Sequence, residues 1–547
     1  MPGVVPSDVT VPDPRSSFLR TYANIDNPGI WESGATLLSA LLVILSFPNF
    51  DLWPLAWVGL IPLLTQLVRR PRTRSAFILG WMWGVVFFYG SCYWLTYSMI
   101  HYGHINGWIS YALLIIPVAL VAIFPAVCCL VLARLLERWG PIALFAAPFV
   151  WVSLEWTRLG VTGQLWNAIG YSQAYYPDVI QSARWGGVYA VGFLIVLTNA
   201  ALAYLLTKKT RRALILTAII LLAVAGVIAT PAIFSKPHSG LPNFVVVAVQ
   251  PNVPMERVGD RAETESLLAG HMSLSRSALQ DLEHDYLLER GSRGVAEALP
   301  RLVIWPESPM NFTYGSDHHL RDQVTGFVVE NRTSLLLNSL EPAPQGGDHN
   351  SALMVNEQGQ LVAQYDKIRL MPFGEYVPLP RWMPGASAIA PMVGGFTPGT
   401  RYTQMPLGTT RAGVFICFES AFPSIARTFA NEGSGVLINI SNDGYLGPTP
   451  VMRQHLANAI FRAVENDRPV LRVTNTGLTA YISRSGEIKD LSGGFQPEVR
   501  TWAVSEVTGR TFYTKHGDLL AITCALITLI SLAATVVTKI VDLRRFS

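Results

Sequence analysis

The chain has 547 residues, 50% hydrophobic and only 14% charged, with a formal net charge of +4. So few charges over this length exclude an ordinary soluble protein, and so small a basic surplus, gathered in short loops, excludes a nucleic-acid surface. The five cysteines form no CxxC pair or Cys/His cluster at ligand spacing, and no Gly-rich phosphate loop follows a strand, so neither a metal nor a nucleotide cofactor is expected.

Residues 1–28 read as a polar tail with no apolar core or cleavage-like site, not a signal peptide. Apolar stretches follow at about 33–47, 52–68, 75–99, 108–134, 141–158, 186–206 and 212–231, with another at 518–540. Each is near the length that crosses or enters a bilayer, which predicts about eight spans. The first two are short and separated by Phe47-Pro-Asn-Phe-Asp51, consistent with a tight hairpin or a re-entrant pair.

Basic residues cluster at Arg69–Arg74, Arg134–Arg138, Lys208–Arg212 and Lys539–Arg545, all in alternate loops. The intervening loops Pro48–Asp51 and His101–Gly107 carry no Lys or Arg, and the loop at 159–185 carries only Arg184. The excess of Lys and Arg on cytoplasmic loops then predicts that both termini are cytoplasmic and that residues 235–512 lie outside. The expected domains are an N-terminal membrane region at 29–234, a catalytic domain at 235–512 and a C-terminal helix with a basic tail at 513–547.

From Asn243 the pattern changes to short β-rich runs: 244–249, 302–305, 334–338, 352–355, 361–365, 414–417, 435–440 and 470–474. Polar helical stretches at 263–289, 423–431 and 452–465 alternate with them, predicting an α/β or layered α-β-β-α domain. The Gly/Pro-rich segment 384–400 reads as a loop, either an ordinary surface loop or a lid touching lipid through Ile389, Met392 and Phe396.

Cys417 is the only cysteine outside the apolar stretches. It ends the run Arg411-Ala-Gly-Val-Phe-Ile-Cys417, as a strand does when it delivers a side chain to a site, and it faces an oxidising compartment with no partner thiol in its domain. A thiol nucleophile needs a base and a group to stabilise the oxyanion. Val303-Ile-Trp-Pro-Glu307 supplies a carboxylate after a strand, Tyr365-Asp-Lys367 a cation, and Glu375 and Glu419 further acids. Singly, each is more often a solvated charge or a structural ion pair.

Together they form a known constellation. The outer domain resembles the nitrilase superfamily, whose Glu–Lys–Cys triad falls on Glu307, Lys367 and Cys417. Flanking spans and the segments Ser46-Phe-Pro-Asn-Phe-Asp-Leu-Trp-Pro-Leu-Ala-Trp57, Leu165-Trp-Asn-Ala-Ile-Gly-Tyr-Ser-Gln173, Lys367-Ile-Arg-Leu-Met-Pro-Phe-Gly-Glu-Tyr-Val-Pro378 and Ser441-Asn-Asp443 make the chain similar to the bacterial apolipoprotein N-acyltransferases.

The resemblance implies a helical transmembrane bundle carrying an extracytoplasmic nitrilase-like α-β-β-α sandwich, in the bacterial inner membrane, working as a monomer without cofactor. It implies acyl transfer from a phospholipid, phosphatidylethanolamine by expectation, through a thioester on Cys417 to a diacylated apolipoprotein. Glu307 would be the base and Lys367, with the N–H of Phe418, the oxyanion donor. Glu375 and Glu419 would orient them, and Trp166, Asn442, Tyr445 and Leu446 would line the substrate pocket. Departures from the family pattern stand at Val258-Gly259, Phe418 and Tyr445-Leu446, and they bear on pocket shape. Arg453, His455 and Asn475 are polar candidates with no assigned role. The rival readings are a membrane-anchored nitrilase-type amidase, using water as acceptor, and a binding-only transporter or receptor.

Overall fold

The computed structural model describes residues 27–234, 241–255, 261–293, 299–307, 312–377 and 395–545. The polar tail up to residue 26, Val258-Gly259 and the 384–394 part of the expected lid lie outside the described residues.

The first half is helical. Among the described residues, five stretches are long and apolar enough to cross a membrane: Thr73–Cys92, Gly107–Thr162, Val188–Lys208, Arg211–Thr230 and Leu519–Val537. The second of these is interrupted at Gly140, where φ is +65°, between helices Ile123–Trp139 and Ala147–Thr162. A shorter apolar helix covers Ile30–Leu45. The stretch expected to span at 52–68 is instead broken into Trp53–Leu55, Ala56–Gly59 and Ile61–Arg69. Pro54 and Pro62 stand at the first turns of two of these pieces, where a missing N–H is tolerated, and neither fits a helix interior.

Only 17% of the apolar windows of Arg211–Thr230 and Leu519–Val537 is buried, and Leu222, Leu529 and Ile530 are openly exposed. An apolar outer surface of this kind is suited to lipid. Inside the bundle, Gly80 and Gly84 let helix Thr73–Cys92 approach its neighbour closely. A Cβ on Gly80 would lie 2.5 Å from the carbonyl oxygen of Pro125, and one on Gly84 would lie 2.7 Å from the Pro125 ring.

Among the described residues, the second half is built on two six-stranded sheets. The first runs β12-β1-β2-β3-β4-β5, with β1 Phe244–Gln250, β2 Arg301–Ile304, β3 Ser334–Pro342, β4 Asp348–Val355, β5 Leu361–Asp366 and β12 Glu498–Val504. The second runs β11-β10-β9-β8-β7-β6, with β6 Gln404–Leu407, β7 Thr410–Ile416, β8 Val436–Ser441, β9 Val470–Thr474, β10 Ala480–Ile482 and β11 Ile488–Leu491. Each has three parallel strands, β1-β2-β3 or β7-β8-β9, extended by antiparallel neighbours.

Alternation along the strands builds the layers. Val246, Ala248, Leu302, Ile304 and Leu336 join the core shared with the second sheet. Val247, Val249, Val303, Leu335 and Leu337 point the other way, to a core with Leu268, Met272, Val324 and Phe327 from helices Arg261–Arg293 and His318–Asn331. With period-2 side chains and both faces covered, such strands read as continuous apolar runs. On the far side, helices Pro423–Asn431 and Val451–Asn466 pack on the second sheet.

The helix Val451–Asn466 is buried at every position from Gln454 onward, because it also meets the membrane half. The indoles of Trp94 and Trp166 both donate to Gln454 Oε1, at 3.1 and 2.9 Å, and Gln454 Nε2 donates to the Ser91 carbonyl at 3.0 Å. Arg453 pairs with Asp51, and the Val188 N–H donates to Glu465 at 2.9 Å. These contacts seat the sandwich on the bundle.

Candidate active site

The described residues place Glu307, Lys367 and Cys417 just beyond the C-terminal ends of β2, β5 and β7. Cys417 itself has φ +51°, a left-handed conformation that turns the chain from strand into the single helical turn Cys417–Ala421. Such a turn lifts a side chain clear of the sheet, and Cys417 stays partly exposed.

Glu419 braces this turn. Its Oε2 accepts the Ile416 N–H at 2.8 Å, and its Oε1 accepts the N–H groups of Ile368 and Arg369 at 2.8 and 3.0 Å. The Tyr365 hydroxyl donates to it at 2.9 Å. Burial pushes the Glu419 carboxyl up to about 7 against those donors. One fully buried side chain thus ties the cysteine turn to the loop that carries Lys367, and it does so through backbone rather than through the thiol.

Lys367 is 2% exposed, and its Nζ lies 3.2 Å from Glu307 Oε1 and 2.8 Å from Glu375 Oε1. Burial alone would favour the neutral amine, but the two carboxylates hold its pKa well above the usual lysine value. Asn350, at the third position of β4, donates to both carboxylates, 2.8 Å to Glu307 and 2.9 Å to Glu375. Its own Oδ1 accepts from Asn338 at 2.7 Å. The far oxygen of Glu375 takes the Met371 N–H at 2.7 Å, which fixes the loop after β5.

Glu307 has two unlike oxygens. Oε1 is engaged by Lys367 and Asn350, whereas Oε2 accepts among the described residues only the Asn442 N–H, at 3.2 Å. Oε2 therefore keeps lone-pair capacity for a proton. Burial pushes the Cys417 thiol up, and the Glu307 carboxylate raises it further, while Lys367 and Ser441 pull it down. The net shift is upward, so the resting group is a thiol, and a thiol acts as a nucleophile only with a base to take its proton.

The remaining expected residues fall in three places. Phe418 stacks on Trp166 with ring centroids 6.1 Å apart, and the indole of Trp166 is anchored on Gln454, so these two bridge the cysteine turn and the membrane half. Tyr445 stacks at 5.0 Å on Tyr102, from the loop before helix Gly107–Val121, and Leu446 packs against the main core. The Asn442 side-chain Oδ1 accepts the Gly444 N–H at 3.0 Å, so the backbone N–H of Asn442, not its side-chain amide, reaches Glu307.

Two groups close to Glu307 and Cys417 have no assigned role in the sequence. Asn350 carried one available signal, a polar residue inside an otherwise apolar β-run. The other is His455, whose Nε2 lies 2.9 Å from the Cys417 carbonyl oxygen and whose Nδ1 lies 2.8 Å from Asp443. Nothing in its helical spacing separates it from a core histidine.

A two-sheet sandwich whose strand ends bring a cysteine turn together with a Glu–Lys pair defines a domain of the carbon–nitrogen hydrolase class, and residues 289–510 match the family described as carbon-nitrogen hydrolase. Residues 39–201 match the family described as apolipoprotein N-acyltransferase N-terminal domain. The apolipoprotein N-acyltransferase of Geobacter metallireducens is 32% identical over 500 residues, covering 89% of this chain and 92% of the relative. That of Sinorhizobium medicae is 30% identical over 490 residues, covering 84% and 87%. An amidase structure from Nesterenkonia sp. AN1 aligns with 51% of this chain and 99% of its own, at 15% identity and a TM-score of 0.34. The chain belongs to the apolipoprotein N-acyltransferase family.

Proposed function

We propose that this chain moves an acyl group from a membrane phospholipid to the α-amino group of the diacylglyceryl-cysteine at an apolipoprotein N-terminus, holding it in between as a thioester on Cys417. Membership of the family makes it an N-acyltransferase of lipoproteins, with a lipid donor and a membrane setting. The observation that best supports the chemistry is the buried Glu307–Lys367 pair, 3.2 Å apart, acting on the Cys417 thiol.

In the first half-reaction Glu307 Oε2 takes the thiol proton as Sγ attacks the ester carbonyl of the phospholipid. Negative charge on the carbonyl oxygen is met by Lys367 and the backbone N–H of Phe418. The C–O bond then breaks, the alkoxide of the lysophospholipid takes the proton from Glu307, and the thioester remains. In the second half the lipoprotein amine attacks the thioester, Glu307 accepts an amine proton, and the C–S bond breaks. The thiolate recovers its proton from Glu307 as the amide product leaves. Glu375 and Glu419 hold the cation and the turn in register. Trp166, Tyr445, Leu446 and the Asn442 segment line the approach.

The donor is phosphatidylethanolamine. The enzyme works as a monomer in the inner membrane with both termini cytoplasmic, and its domain 235–512 stands in the periplasm between the membrane region 29–234 and the C-terminal helix and tail 513–547. Lipid substrates give a reason for the membrane half, since two-chain lipids leave a bilayer only at high cost. Incubating the purified full-length protein with phosphatidylethanolamine labelled in its acyl chains tests the reading. A hydroxylamine-sensitive adduct on Cys417 is expected, absent in Cys417→Ser. Acylation of a diacylated lipopeptide by Cys417→Ser would refute it.

A further inference from the structure

Behind the cysteine turn runs a buried chain of charged groups that the acyl-transfer steps above leave unused. Arg472, on β9, donates through Nη2 to Asp443 Oδ2 at 2.8 Å. Asp443 Oδ1 lies 2.8 Å from His455 Nδ1, and His455 Nε2 lies 2.9 Å from the carbonyl oxygen of Cys417. All three side chains are at most 4% exposed.

The partners decide the protonation of the ring. A backbone carbonyl only accepts, so a hydrogen bond to Cys417 requires a proton on Nε2. Asp443 is held well below the usual carboxylate range because Arg472 and His455 outweigh the burial that would raise it, so it too only accepts. A bond at 2.8 Å then requires a proton on Nδ1. A neutral ring satisfies one contact and sets lone pair against lone pair at the other. The Arg472 Nη2 group also lies 3.1 Å from Nδ1, but an arginine N–H cannot relieve the repulsion between an unprotonated Nδ1 and the nearer carboxylate. Both contacts are hydrogen bonds only in the imidazolium.

We infer that His455 is a positively charged positioning residue, clamped by Asp443, that holds the Cys417 carbonyl and thereby the left-handed turn, and that presents a fixed cation behind the nucleophile. The inference rests on Cys417 being the nucleophile. Its consequence is electrostatic as well as geometric. Glu307, Glu375 and Lys367 face the thiol from the first sheet with one net negative charge, whereas the His455–Asp443–Arg472 chain carries one net positive charge toward the second sheet. Asp443 by itself raises the thiol, and the cations on either side of it oppose that rise.

His455→Gln separates the two roles, because a glutamine amide can still donate to the Cys417 carbonyl but brings no charge. The experiment uses the full-length detergent-solubilised protein and iodoacetamide, with alkylation of Cys417 followed by mass spectrometry from pH 5 to pH 9, alongside thermal unfolding. In His455→Gln with wild-type melting, Cys417 alkylation at pH 7 is expected to slow roughly tenfold, the equivalent of one unit in thiol pKa, with the whole pH–rate profile displaced toward higher pH. Alkylation rates in His455→Gln within twofold of wild type across that pH range would overturn the inference. If His455→Gln melts far below wild type, His455→Lys decides: a restored cation recovers wild-type alkylation if charge is the role and fails to do so if it is not. Alkylation reads the thiol without lipid, so a missing lipid adduct in wild type counts against the acyl-transfer reading and leaves this test intact.

Discussion

Lys367 Nζ and Glu375 Oε1 are 2.8 Å apart, closer than Lys367 is to Glu307, so the cation of the site is shared between two carboxylates with the tighter bond on the one farther along the chain. Glu375 thereby draws Lys367 partly away from Glu307.

Glu375→Gln should leave Glu307 as the one carboxylate paired with Lys367 and tie it more tightly to that cation. Thioester formation, measured as single-turnover labelling of Cys417, should slow roughly ten- to a hundredfold, the range general-base catalysis commands. Lys367→Met should do worse. It abolishes labelling and leaves two buried carboxylates uncompensated, a loss of about 3–5 kcal/mol that thermal unfolding will register.

Gln454→Leu removes the acceptor of the buried Trp166 indole N–H, while the Trp94 indole N–H and the Ser91 carbonyl lose one partner but keep each other at 2.9 Å. The orphaned Trp166 group costs about 1–3 kcal/mol. The seat between sandwich and bundle should loosen, seen as faster proteolysis near residues 94 and 166 and a lower melting temperature. Unchanged proteolysis would show that the seat is held elsewhere.

Gly399 donates its N–H to the Lys367 carbonyl at 2.8 Å, and a Cβ there would sit 2.2 Å from the Asp366 carbonyl oxygen. Gly399→Ala must therefore push the loop after β5 outward and carry Lys367 with it. Acyl transfer should drop by roughly tenfold or more, since a 1 Å misplacement at a reacting centre is enough for that. A variant with full activity would mean that the loop relaxes without moving the amine.

Burial pushes the Glu465 carboxyl from its ordinary 4.5 up to about 7, against the Arg462 guanidinium and the Val188 N–H. The folded chain thus keeps a proton between about pH 4.5 and 7 that the unfolded chain has lost. Stability falls as pH rises through that window, by about 3 kcal/mol once ionisation is complete. Glu465→Gln keeps the Oε1 acceptor and cannot ionise, so the fall in melting temperature between pH 5 and pH 8 should shrink by several degrees. An identical fall in the variant would assign the effect to other groups, Glu419 first among them.

The eight β-runs expected in the second half each meet a strand, because most of these strands are buried on both faces and form apolar runs that stand out from their surroundings, the partly exposed edge strand β5 being the exception. The strands not foreseen, β6, β10, β11 and β12, are short or polar and lie at or near sheet edges, as in Glu498-Val-Arg-Thr-Trp-Ala-Val504, where pairing rather than composition makes the strand. Helix His318–Asn331 was missed for a similar reason: it buries only Leu320, Val324, Phe327 and Val328 under a polar face.

From the sequence alone came the membrane character, the α-β-β-α pattern and the residue types of the site, because hydropathy, period-2 alternation and a carboxylate, amine or thiol at a strand end are local properties of the chain. What only the tertiary structure decided is how distant residues share their charge. Asn350 joining Glu307 to Glu375, Glu419 tying residue 416 to 368, and His455 reaching the Cys417 carbonyl all depend on two sheets closing against each other and on a helix wedged between sandwich and bundle. Hydrogen bonds act over about 3 Å in space, and no spacing along the chain encodes which residues folding will bring that close.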